Sequence, residues 1–192
     1  MTEIVTACFL KLLTVSLLIS YSSGLLVVKT LNVECFGASS YIRNISCKLK
    51  PVNRDKSLLY MDADVVNTLN LSIHLQLLKK NDANNFQPFM LNIRASVCDV
   101  MDNKISSTYI SIIKKILKNT TNVLHPCPYT GHLMASGLYF DTKLFPVNPP
   151  LGIYKAVAIF HNGVTGDWVG KIIFQGELRE VQHKKTRPVT SS

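Results

Sequence analysis

With 192 residues, 47% hydrophobic and 17% charged, the chain can bury one sizeable core and is too apolar for a disordered polypeptide. Its formal charge of +9 is scattered in small clusters (Lys79-Lys80, Lys114-Lys115, Lys184-Lys185), not focused into a stripe with interleaved aromatics, so no nucleic-acid partner is expected. The basic balance suits anionic glycans or lipid head groups, and hence peripheral membrane contact, or simply a solvated surface.

Residues 1–24 have the layout of a signal peptide that is removed on export. The run from Leu12 to Ile19 is apolar but far short of the roughly 20 residues that span a bilayer, and Lys11 would sit inside a membrane anchor. Ser22-Ser23-Gly24 supplies small residues for cleavage after Gly24. Residues 25–181 then form one domain, and the polar, basic stretch 182–192 is expected to be a disordered tail without a lipid-anchor signal.

Strand-like runs follow in order. The first is Leu25 to Glu34 and the second Tyr41 to Lys50. Ser57 to Asn67 and Leu69 to Lys79 come next, and their proximity predicts that they pair. In the latter, Leu69, Leu71, Ile73, Leu75 and Leu77 alternate with polar residues, the period of a half-buried strand. From Pro88 onward Phe89, Leu91, Ile93, Ala95 and Val97 share one face. A single amphipathic helix is predicted over about 104–118, with Ile105, Tyr109, Ile112, Ile113, Ile116 and Leu117 at helical spacing. Asp102 or Asn103 can cap its start, and Lys114, Lys115 and Lys118 complement its dipole at the end. His132 to Leu144, Gly152 to His161 and Trp168 to Val181 complete the set, with Asn162-Gly163 as a turn between the last two. About eight antiparallel strands at this spacing predict a mainly β, Ig-like sandwich with one inserted helix.

Of the five cysteines, Cys8 lies in the leader, leaving Cys35, Cys47, Cys98 and Cys127. An even number in an exported domain reads as two disulfides, and four cysteines allow three pairings. Cys35–Cys47 and Cys98–Cys127 are preferred because each closes a modest loop, contributing about 3 kcal/mol apiece. Neither the cysteines nor His74, His125, His132, His161 and His183 show metal-ligand spacing, so neither metal nor cofactor is expected. Asn44-Ile-Ser, Asn70-Leu-Ser and Asn119-Thr-Thr are glycosylation acceptors, Asn119 the best placed of them.

Catalytic signatures are missing from the sequence: there is no nucleophile elbow, phosphate loop or zinc-protease helix. Asp62 and Asp64 share one face of a strand and form a carboxylate pair only in principle; two solvated charges are the simpler reading. No enzyme activity is expected. His125-Pro126-Cys127-Pro128-Tyr129 is the most distinctive segment, a half-cystine fixed by prolines on either side.

That segment, the placing of Cys98 and Cys127 around a helix, and Val52-Asn53-Arg54-Asp55 after Cys47 resemble an insect secreted family numbered 1091 among the domains of unknown function. The resemblance runs from about Val28 to Leu178, with His125 at a position where the family varies among polar residues. That family is in turn similar to the ML (lipid-recognition) superfamily, and some fly members are implicated in gustatory pheromone detection. The resemblance therefore implies an ML-like sandwich that opens to hold a hydrophobic ligand, a lipid or hydrocarbon, with a chemosensory cue as one candidate, and it carries over no catalytic residue. The wall of such a site is expected from Ile73, Leu75, Phe89, Leu91, Ile93, Ile112, Ile116, Phe140, Phe160, Trp168 and Phe174. The alternative is an extracellular module with a solid interior that binds a receptor or another secreted protein. A secreted hydrolase, with Asp62 and His125 as its candidates, is a third.

Overall fold

Among the described residues, the alternation of apolar and polar side chains produces eight strands in two antiparallel sheets, a β-sandwich. A computed structural model describes residues 25–145 and 149–181, with Leu26–Glu180 as one compact unit. The expected signal peptide, with Cys8, and the expected tail 182–192 lie outside the described residues.

The strands are β1 (Leu25–Gly37), β2 (Ile42–Pro51), β3 (Ser57–Leu69), β4 (Leu71–Lys80), β5 (Phe86–Ser96), β6 (Tyr129–Leu138), β7 (Gly152–Asn162) and β8 (Trp168–Val181). One sheet has five strands in the order β1-β8-β7-β4-β5 and the other three in the order β2-β3-β6. Two helices, α1 (Val97–Met101) and α2 (Thr108–Leu117), lie between β5 and β6, and a 3-10 turn spans Thr142–Leu144.

The predicted pairing of the third and fourth strands is wrong. β3 stays in the three-stranded sheet as far as the Leu69–Tyr129 pair, and β4 begins in the other sheet with Leu71 opposite Asn162. One residue, Asn70, makes the crossing, and its carbonyl accepts the Gly163 N–H at 2.6 Å. Leu69 and Leu71, on either side of it, are buried in one cluster with Val65, Tyr129 and Val169. Burying both leucines in the shared core favours the crossing, whereas a hairpin would need a turn that this segment does not contain.

The helix also differs from expectation. Ser96 accepts the Asp99 N–H and starts α1, so Val97 ends the alternation of β5 by entering a helix. Asp102 is the C-cap of α1, and Asn103 follows with φ 59°. α2 therefore begins at Thr108, with Ser107 accepting the Ile110 N–H at 3.2 Å, leaving Ile105 outside the helix and 39% exposed. Lys114 reaches back to α1, donating to the Val100 carbonyl at 2.6 Å and to Asn103 Oδ1 at 2.9 Å. It thus adds a second donor to the Val100 carbonyl, which also accepts the Asn103 N–H, and links the end of one helix to the body of the next.

β6 begins at Tyr129 and ends at Leu138, short of the predicted Leu144, because Asp141 caps the 3-10 turn through the Lys143 N–H. The predicted Asn162-Gly163 turn is present: Asn162 Oδ1 accepts the Val164 N–H at 2.9 Å, and Gly166 takes φ 79°, which glycine adopts without strain.

Candidate functional site

The inward faces of the two sheets do not close on each other. Ile73, Leu75 and Leu77 of β4, Phe89, Leu91 and Ile93 of β5, and Ala156, Ala158 and Phe160 of β7 line one side of a cavity of about 560 Å³. Met61, Ala63 and Val65 of β3 and Leu133 and Ala135 of β6 line the other, and Ile112 and Ile116 of α2 contribute too. The registers explain the wall. Leu75 stands opposite Ile93 and Ala158, and Ala158 opposite Ile172, so one row of apolar side chains runs across four strands.

Ten of the eleven predicted wall residues line this cavity: Ile73, Leu75, Phe89, Leu91, Ile93, Ile112, Ile116, Phe140, Phe160 and Phe174. Phe140 and Phe174 meet edge-to-face with centroids 5.7 Å apart. Trp168 is the exception, 42% exposed and not part of the wall. Uninterrupted alternation from Phe174 through Ile172 and Gly170 would point Trp168 inward. A register shift between Phe160 and His161 puts Trp168 opposite His161 and turns it to the other face. Tyr154, Phe145, Tyr109 and Ile110 also line the cavity and were not expected. Tyr154 packs edge-on against Phe89 at 5.5 Å, and Ile110 precedes Ile112 in α2, one step off the stripe read from the sequence.

Both preferred disulfides are formed, with Cα atoms 6.1 Å apart in Cys35–Cys47 and 5.4 Å apart in Cys98–Cys127. Cys35 lies on the edge strand β1 of one sheet and Cys47 on the edge strand β2 of the other, so this bridge fastens the sandwich along one side. Cys98 lies in α1 and ties it to the segment entering β6. In that segment the Cys127–Pro128 bond is cis, and Tyr129 is 2% exposed. The Tyr129 hydroxyl donates to the Val123 carbonyl at 3.0 Å, and burial pushes its pKa up to about 12. His125 packs its ring on Tyr129, with centroids 4.7 Å apart, and Nδ1 lies 2.7 Å from the Pro126 carbonyl.

Asp62 and Asp64 are not merely solvated. His132, opposite Asp64 in the β3–β6 register, places Nδ1 2.8 Å from Asp64 Oδ1 and Nε2 3.4 Å from Asp62 Oδ1. Asn44 donates to Asp64 Oδ2 at 2.7 Å. Hydrogen bonds from Asn44 and then His132 hold the Asp64 carboxyl below its ordinary range, and the bond to Asp64 raises His132. All three ionisable side chains are about half exposed, Asp62 is also among the residues lining the cavity, and the group does not include His125. No cluster of three metal-ligating side chains occurs among the described residues. The three sequon asparagines, Asn44, Asn70 and Asn119, are exposed, and Asn44 and Asn119 have positive φ.

None of the curated proteins matches the chain. Residues 73–156, from β4 into β7, match the family described as protein of unknown function (DUF1091), a match that covers Cys98, Cys127 and the His125–Tyr129 motif and supports the family which that motif resembles.

Proposed function

We propose that this is an exported binding protein that holds a hydrophobic molecule, a lipid or hydrocarbon, between its two sheets. The observation that carries the reading is the apolar cavity of about 560 Å³, which lies within the range of ligand sites and far exceeds the voids of a packed core. Export is supported by the two disulfides, and no described helix is long and apolar enough to cross a membrane. The exposed sequons are compatible with glycosylation on that route. The ML-like relationship and a chemosensory role belong to the same proposal. A protein-binding module with a solid interior is disfavoured by the cavity. A hydrolase is disfavoured because His132 and Asp64 are not among the residues that line it.

The test is native mass spectrometry of protein secreted from eukaryotic cells, before and after extraction with organic solvent. A hydrophobic adduct is expected, or uptake of one from a mixed lipid and hydrocarbon extract. Protein that is folded by circular dichroism yet neither carries nor takes up such a molecule would sink the reading.

A further inference from the structure

We infer that the occupant is an uncharged aliphatic molecule of on the order of 20 carbons, with no ionised head group inside the cavity; this rests on the binding reading above. The size follows by proportion: a 150 Å³ apolar cavity accepts benzene, so about 560 Å³ accommodates on the order of 20 carbons.

The charge follows from what the wall can offer. Among the described residues, three charged ones contribute to it, Asp62, Lys114 and Lys171, and each already has a polar or aromatic partner. Asp62 faces His132 at 3.4 Å. The Lys114 ammonium donates to the Val100 carbonyl and Asn103. Lys171 alternates with the inward Gly170 and Ile172, and its ammonium lies 5.0 Å from the centroid of the Phe36 ring. The Tyr129 and Tyr154 hydroxyls donate to the carbonyls of Val123 and Pro150. A carboxylate or phosphate drawn into this space would be desolvated without a counter-ion, a cost of several kcal/mol. A hydroxyl or ester adds much less, and Thr30, 5% exposed on the wall, provides a hydroxyl for it.

Methyl octadecanoate and octadecanoate differ in charge but scarcely in shape, which makes them the decisive pair. Each is titrated against the delipidated, secreted protein carrying a neutral fluorescent naphthylamine probe, at a pH where the acid is ionised. The ester is expected to displace the probe, and the acid to do so at least ~100-fold less well, the ratio that about 3 kcal/mol gives. Equal or tighter binding of the acid overturns the inference while leaving the binding reading intact. In that event loss of acid binding in Lys79→Met would name Lys79, whose ammonium lies 6.0 Å from the centroid of the Phe89 ring, as the head-group anchor. If probe, ester and acid all fail to bind, the binding reading itself falls.

Discussion

Filling the cavity from one side separates a hollow sandwich from a packed one. Ala158 sits mid-strand in β7, is 6% exposed, faces the cavity, and lies between Leu75 and Ile172 on the neighbouring strands. Ala158→Phe adds an aromatic ring of roughly the size that a ~150 Å³ cavity accepts, about a quarter of the space available. In a close-packed interior, added bulk of this kind costs about 1–3 kcal/mol or more. In the cavity, the ring instead gains apolar burial worth up to about 2 kcal/mol and suits a strand. The ligand-free variant should therefore melt at or above the wild-type temperature, by up to about 8 °C at 2–4 °C per kcal/mol. Differential scanning calorimetry of the delipidated pair reads this directly. Capacity should fall in parallel, with the longest bound chains lost first by mass spectrometry. Destabilisation by more than about 1 kcal/mol, with the fold retained, would refute the claim that the space is open.

The remaining expectations concern what holds the cavity's frame. Replacing Cys98 and Cys127 together by serine should cost about 3.5 kcal/mol for a separation of 29 residues, and replacing Cys35 and Cys47 about 3 kcal/mol for 12, read from urea denaturation. Ser107→Ala should cost about 1 kcal/mol and lower protection from hydrogen exchange in the first turn of α2. His132 is raised in the fold, so its contribution is full below its ordinary value of 6.5 and is lost as pH rises through the raised value. Asp64 is lowered, so its contribution is present above 3.8 and is lost as pH falls through the lowered value. Melting temperature should therefore decline more between about pH 6 and about pH 8 in the wild type than in His132→Gln, and parallel slopes would contradict the pairing.

What the sequence disclosed was governed by local rules. The period-2 run from Leu69 to Leu77 identified β4 and its inward face, because alternation needs no knowledge of the partner strand. Which strand it pairs with depends on contacts distant in sequence, and the Asn70–Gly163 hydrogen bond has no local signature. The helical stripe through Ile112 and Ile116 was readable, but its start was not. Asp102, Asn103 and Ser107 are all capable caps, and a chain that stops at Asp102 and restarts at Ser107 looks like one helix in composition. Val97 extends the β5 alternation so naturally that only the Ser96 cap reveals the change to helix. Trp168 failed for the converse reason: one register shift reverses a face, and nothing in the residues beside it announces the bulge. His132 could not be joined to Asp64, 68 residues away, without the β3–β6 register.

The placement of the two disulfides bears on why the interior can stay open. A folded domain retains only about 5–15 kcal/mol of net stability, and a hollow forgoes the dispersion contacts that a filled core would make. Disulfides act largely by restricting the unfolded chain, so they stabilise without occupying interior volume. Here one fastens the outer strands of the two sheets and the other secures α1 to the entry of β6, at the margins of the cavity. Under the proposed function, contact across the gap is then left to a bound molecule. A molecule that fills the cavity should raise stability by about 2.7 kcal/mol at a free concentration 100 times its dissociation constant. That corresponds to a rise of about 5–10 °C in melting temperature. Delipidated protein titrated with methyl octadecanoate should show that rise at saturating concentrations, and the Ala158→Phe variant a smaller one. If the variant instead gained as much as the wild type, the added ring and the ligand would not be sharing the same space.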